Sequence, residues 1–274
     1  RGRRDPPRGN NFLRRGTRPP QPLIMGFIDT MRSQGHAVES ICRVLREQGG
    51  MPLLDWSYPL LVAALLQAFI VSVLLILAPL AVSRSRHTLP SGPVALYFLA
   101  IGLAFMFIEI AFIQKFVLFL AHPLYAVAVV LCAFLVFAAV GSWLAGRWQN
   151  RARDSRHLIV AVMVMGALSL LYLAILPGLF QALIHLPDVA KIAISVLLIA
   201  PLAVCMGMPF PTGMMRLAST TQDAIPWAWA INGFASVVGA VLATLLAIHL
   251  GFAVVILLAV LIYGLAAAAL RGFA

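Results

Sequence analysis

Glu109 is the residue whose type and position most invite chemistry. It lies near the middle of an apolar run, YFLAIGLAFMFIEIAFIQKFVLFL. An ionised carboxylate at the depth of a bilayer costs at least ~3 kcal/mol, so such a residue faces protein or trapped water, is paired, or carries a proton. Its own helix offers no cation at the right place. Lys115 comes six residues later, which on a helix is ~9 Å along the axis and about 120° around it. Lys115 should therefore snorkel towards the interface near His122. A partner for Glu109 must come from another segment, and Asn232, Gln67 or a water are the candidates. Two roles stay open: a proton or cation site, and a structural interhelical hydrogen bond, the plainer and preferred reading. Gln114 is the remaining polar candidate of this run.

A second candidate is CMGMPFPTGMMR, where Gly207, Pro209, Pro211 and Gly213 interrupt an apolar run. Proline removes a backbone donor, and broken backbone inside a membrane must be satisfied by protein or water. Half-helices of this kind build substrate sites in transporters. Because polar STTQD comes soon after, an interfacial cap or short re-entrant turn is expected here. In the third feature, PWAWAINGFASVVGAVLATLLAIHL, Ala235, Gly239, Ala243 and Ala247 recur every four residues. Such a small-residue stripe lets another helix approach closely, which places this segment in the bundle interior. Trp227 and Trp229 fit a headgroup-level belt, and Asn232, one turn deeper, reads as an interhelical hydrogen-bonding group. Phe98, Phe105, Phe112 and Phe119, spaced by seven, form a packing or lipid-facing stripe.

Outside these features the catalytic inventory is empty. There is no phosphate-cradling glycine loop after a strand, no paired metal-ligand spacing, and no Ser, His and Asp set that a loop could assemble. His36, His87, His122, His157, His185 and His249 are scattered singly, and Cys42, Cys132 and Cys205 are few and far apart. No catalytic residue, metal or cofactor is assigned to this chain.

The elements that must position these residues are set by composition. The 274 residues are 62% hydrophobic and only 11% charged, with a mean hydropathy of +0.98, where a soluble domain is about half apolar and a quarter charged. Seven apolar runs, 58–82, 94–120, 123–145, 158–180, 189–206, 227–250 and 252–270, each approach the ~20 residues that cross a ~30 Å hydrocarbon core. They are continuous rather than alternating, which excludes a β-barrel. The fold expected is an all-α polytopic bundle of about seven helices over residues 55–274. Residues 1–54, rich in Arg, Pro, Gly and Gln, read as a basic, poorly ordered leader with room for one short helix at 27–47. Since residue 1 is Arg, the chain reads as the C-terminal piece of something longer, or as a misjoined reading frame.

The formal charge of +11 resides largely in that leader and in short loops. It suits lipid headgroups and topology control rather than nucleic acid, for which stacking aromatics are missing. With seven spans, Arg84, Arg86, Arg147, Arg151, Arg153, Arg156, Arg216 and Arg271 fall on one side, against Arg43, Arg46, Lys115 and Lys191 on the other. The richer side is cytoplasmic by the positive-inside rule. That puts the C-terminus inside and the leader outside.

Four ordered stretches carry a resemblance: GGMPLLDWSYPLLVA (49–63), FMFIEIAFIQKFVLFLAHPLYAVAVVL (105–131), MGMPFPTGM (206–214) and PWAWAINGFASVVGAVLA (226–243). Together they resemble the C-terminal membrane region of bacterial membrane-bound spermidine synthase-like proteins, over about residues 49–270. The resemblance implies an inner-membrane module fused to a soluble domain of spermidine synthase or methyltransferase-like fold, lying before residue 49. Residues 1–48 depart from that pattern, so no catalytic or S-adenosyl-ligand residue carries over. The membrane motifs alone transfer: Glu109, Gln114, Lys115, His122, Pro123, Leu124, Tyr125, Pro209, Pro211, Trp227 and Asn232. The resemblance further implies an anchoring or positioning role for a transferase domain; Glu109 together with the broken segment from Gly207 to Gly213 keeps open, against it, a transport path for a polyamine or another small solute. Oligomeric state is not legible in the sequence.

Overall fold

The computed structural model describes residues 52–78, 90–149 and 156–270. The suggested helix at 27–47 and most of the basic leader lie outside the described residues. All described elements are helical: α1 (Pro52–Ser72), running on into a π-helical turn (Val73–Leu77), α2 (Gly92–Leu120), α3 (Pro123–Gln149), α4 (Arg156–Leu183), α5 (Asp188–Gly207), α6 (Pro209–Thr220), α7 (Ile225–Leu250) and α8 (Phe252–Ala269). Seven stretches of the described residues are long and apolar enough to cross a membrane, with α5 and α6 forming one of them, Asp188–Thr220. The protein is an all-α, multi-pass helical bundle. Its outward positions, among them Leu60, Leu135, Leu197 and Leu261, are large and apolar, as lipid contact requires.

The chain divides into a unit Arg1–Pro59 and a unit Leu60–Ala274, and the close helix crossings all lie within the second. α2 is its axis. Residues on all sides of α2 are buried, from Tyr97 and Phe98 through Ala104, Phe107 and Ile108 to Phe116 and Phe119, and its main neighbours are α7 and α8. α7 lies against it in parallel: a Cβ placed on Gly239 would meet Leu103 and Met106 at 3.3 Å, and one placed on Gly102 would meet the Asn232 carbonyl at 2.7 Å. Ala235, Gly239, Ala243 and Ala247 are all buried. α8 runs the other way, its first residue Phe252 lying under the Lys115 ammonium. Only Gly251, with φ of +82°, separates α7 from α8. That left-handed geometry strains any residue carrying a Cβ.

The second close crossing joins α3 and α5. A Cβ on Gly141 would collide with the carbonyl of Val204, and one on Gly207 with the carbonyl of Ala138. Each glycine therefore lets one backbone touch the other, three residues apart on both helices. In lipid no hydrophobic force draws helices together, so this intimate contact, with its weak Cα–H···O component, supplies the attraction. Gly207→Val should therefore lower the melting temperature of the purified protein in detergent, by an amount matching at least ~2 kcal/mol of overpacking. Gly233→Ala, with nothing within 4 Å of the new methyl, should leave it unchanged or slightly raised.

Candidate functional site

The helix break was expected at the end of the fifth run, and it proves narrow. α5 ends at Gly207, Met208 keeps α-helical angles (φ −79°, ψ −37°), and α6 starts at once with Pro209. Proline is tolerated in a first turn because its missing N–H would be unpaired there anyway. The expected short re-entrant turn does not form: helix resumes over Pro209–Thr220. Gly207 and Gly213 are needed for space rather than for flexibility. Gly207 meets α3, and a Cβ on Gly213 would collide with the ring of Tyr97.

That contact brings α2 to the break. The Tyr97 hydroxyl donates to the Pro209 carbonyl at 2.6 Å in a fully buried setting. Phe98 meets Phe210 edge to face, with ring centres 5.8 Å apart, and Phe210 in turn meets Trp229 at 4.8 Å. Two turns after Pro209, Arg216 donates from Nη1 to the carbonyl of Leu270 at 3.3 Å, tying α6 to the end of α8. Trp229 is exposed and fits the expected interfacial belt, whereas Trp227 is half-buried.

Glu109 is 4% exposed, and no hydrogen bond to it is found among the described residues. Asn232 is not its partner. The Asn232 side chain packs at Gly102, its Oδ1 2.9 Å from where a Cβ would stand, and Gly102 lies on the Glu109 face of α2 but about 10 Å away along the axis. Gln67 is exposed, so it too fails as a partner. Gln114 and Lys115 are half-buried. The Lys115 ammonium stands over the Phe252 ring, 5.5 Å from its centre, a cation–π contact. Lys115 also lines a small cavity of about 20 Å3 with Phe112, Phe116, Tyr172, Pro177 and others, room for about one water.

Of the phenylalanine stripe, Phe98, Phe112 and Phe119 are buried and Phe105 is half-buried. Phe112 contacts Phe116 at 5.8 Å and Phe134 at 5.7 Å, Phe116 meets Phe180 at 5.1 Å, and Phe119 stacks on Phe180 at 4.4 Å. Between Glu109 and the His122 end, α2 is therefore wrapped in aromatic rings. On the opposite side of Glu109 the interior is more polar, with Tyr97, Asn232 and, on α8, the buried Tyr263. Reasoning from sequence alone misses Tyr97 and Tyr263. The available signal is a single tyrosine in each of two long, mostly apolar spans.

No group of three or more His, Cys, Asp or Glu side chains that could hold a metal occurs among the described residues. Compared with protein-family models, curated proteins and solved structures, the chain matches none of them.

Tyr97→Phe deletes a buried hydrogen bond while keeping the ring, and should cost about 1 kcal/mol. A fall of a few degrees in detergent melting temperature would register this loss, and an unchanged melting curve would show that the α2–α6 contact does not hold the break.

Proposed function

We propose that the chain is the membrane module of a spermidine synthase-like fusion protein of the bacterial inner membrane, its helices anchoring and positioning a soluble aminopropyltransferase or methyltransferase-like domain. The four resembling stretches support this, and the packing around the polar residues carries it. The described cavity that an ionisable candidate lines, at Lys115, is about 20 Å3, against the roughly 300–1,000 Å3 of sites that hold small organic ligands. A groove of about 430 Å3 lies on the flank of α3 and α5, lined by Ala128, Val129, Cys132, Ala133, Val136, Phe137 and Val196. Its wholly apolar lining suits acyl chains and not a polyamine. In the same reading the Arg-rich loops and the C-terminus are cytoplasmic.

One observation favours the competing reading of a transport path: a carboxyl group buried at Glu109 without a hydrogen bond among the described residues. Labelled spermidine supplied outside vesicles reconstituted with wild type or Glu109→Gln separates the two. No uptake above protein-free vesicles in either is the expected outcome. Uptake by wild type that disappears in Glu109→Gln would replace anchoring with transport. Labelling a cysteine placed at Arg151 from either side of the same vesicles, calibrated on right-side-out cells, should find that loop in the cytoplasm, and labelling from outside the cell would reverse the orientation.

A further inference from the structure

A polar group inside a bilayer without a protein partner is met by trapped water. One place in the bundle brings two such groups to the same cavity. It lies between α2 and α4, has a volume of about 20 Å3, and is lined by Lys115, Phe116, Tyr172, Leu173, Pro177 and Ile256 among others. The first group is the Lys115 ammonium. Lys115 is half-buried, its charge stands over the Phe252 ring, and no hydrogen bond or ion pair joins it to another described residue. A ring face attracts a cation but leaves the N–H donors of an ammonium in need of acceptors. The second group is the Leu173 carbonyl. α4 runs from Arg156 to Leu183 with Pro177 inside it. In a helix the carbonyl of residue 173 receives the N–H of residue 177, and proline has none.

We propose that this cavity is a binding site for one water molecule, which accepts a hydrogen bond from the Lys115 ammonium and donates one to the Leu173 carbonyl, so joining α2 to α4. The volume exceeds the ~10–15 Å3 that one water requires, and the two groups supply the polar partners that hold a buried water. Charge selects water over an ion. A second cation is repelled by Lys115, and an anion drawn to Lys115 meets the negative end of a carbonyl dipole. Water presents an acceptor to the one and a donor to the other. Tyr172 can serve as a third partner: its hydroxyl proton is committed to the Leu198 carbonyl at 2.7 Å, which leaves the oxygen as an acceptor. Towards the ends of both helices the cavity is roofed by rings. Phe119, one turn beyond Lys115, stacks at 4.4 Å on Phe180, one turn beyond Pro177, and Phe116 meets Phe180 at 5.1 Å. The water thus takes the place of the missing N–H in α4 and lets an unpaired cation lie beneath the ring stack.

Lys115 and Lys191 are the only lysines of the chain, so selective 15N labelling of the lysine ammonium gives two signals, assigned with Lys115→Met. The experiment is solid-state NMR of the full chain in lipid vesicles, reading magnetisation transfer from water to each ammonium. Wild type should show transfer to Lys115. Pro177→Ala returns an N–H to the Leu173 carbonyl and deprives the water of its acceptor, so transfer to Lys115 should fall about twofold or more while transfer to Lys191 stays unchanged. Leu176→Phe, which puts a ring into the cavity while α4 keeps its proline, should give the same selective loss. Retained melting temperature in each variant establishes that the fold survives. Absence of transfer to Lys115 in wild type overturns the site. Equal transfer in wild type and both variants means that the ammonium meets outside solvent and not a held water, and overturns it as well. A Lys115 resonance that moves when chloride is exchanged for gluconate assigns the cavity to an anion in place of water.

Discussion

In a bilayer, lipid is as apolar as any leucine, so helices associate through contact that lipid cannot match. The crossing of α3 and α5 meets that condition at two symmetric points, Gly141 against the Val204 carbonyl and Gly207 against the Ala138 carbonyl. α2 and α7 meet it along a longer stripe, with Gly102 and Gly239 set against backbone and short side chains. These crossings leave no room for a side chain at Gly102, Gly141 or Gly207 and only a tight fit at Gly239, and they hold the remaining geometry. α5 must end at Gly207 where it does, and α6 must begin at Pro209, because α3 lies against the last turn.

Once that end is fixed, the polar residues have little freedom. Pro209 presents its carbonyl to Tyr97, Gly213 gives up its side-chain volume to the same ring, and Arg216 reaches the last turn of α8. The interruption between α5 and α6 is thus a joint between three helices. It is narrow because the prolines sit in a first turn, where their missing donors cost little. Glu109 lies beyond this joint on the most buried helix of the bundle, with rings on one side and phenols on the other.

The sequence by itself determined the number, length and type of the spans, because ~20 continuous apolar residues have one satisfactory solution in lipid, the helix. It also determined that Ala235, Gly239, Ala243 and Ala247 share a face, since the period of the stripe is the period of the helix. Partnership was another matter. By sequence Asn232 is one candidate partner for Glu109, but the parallel register of α2 and α7 places it at Gly102. Gly207 and Gly213 looked like breakers, but they are contact points whose demands are set by Ala138 and Tyr97, far away in the chain. The burial of Tyr263 is likewise decided only where the reversal at Gly251 lays α8 antiparallel on α2. Periodicity along one helix reveals its faces, whereas the rotation and height of a neighbouring helix depend on side-chain volumes from both, and those exist only in the folded bundle.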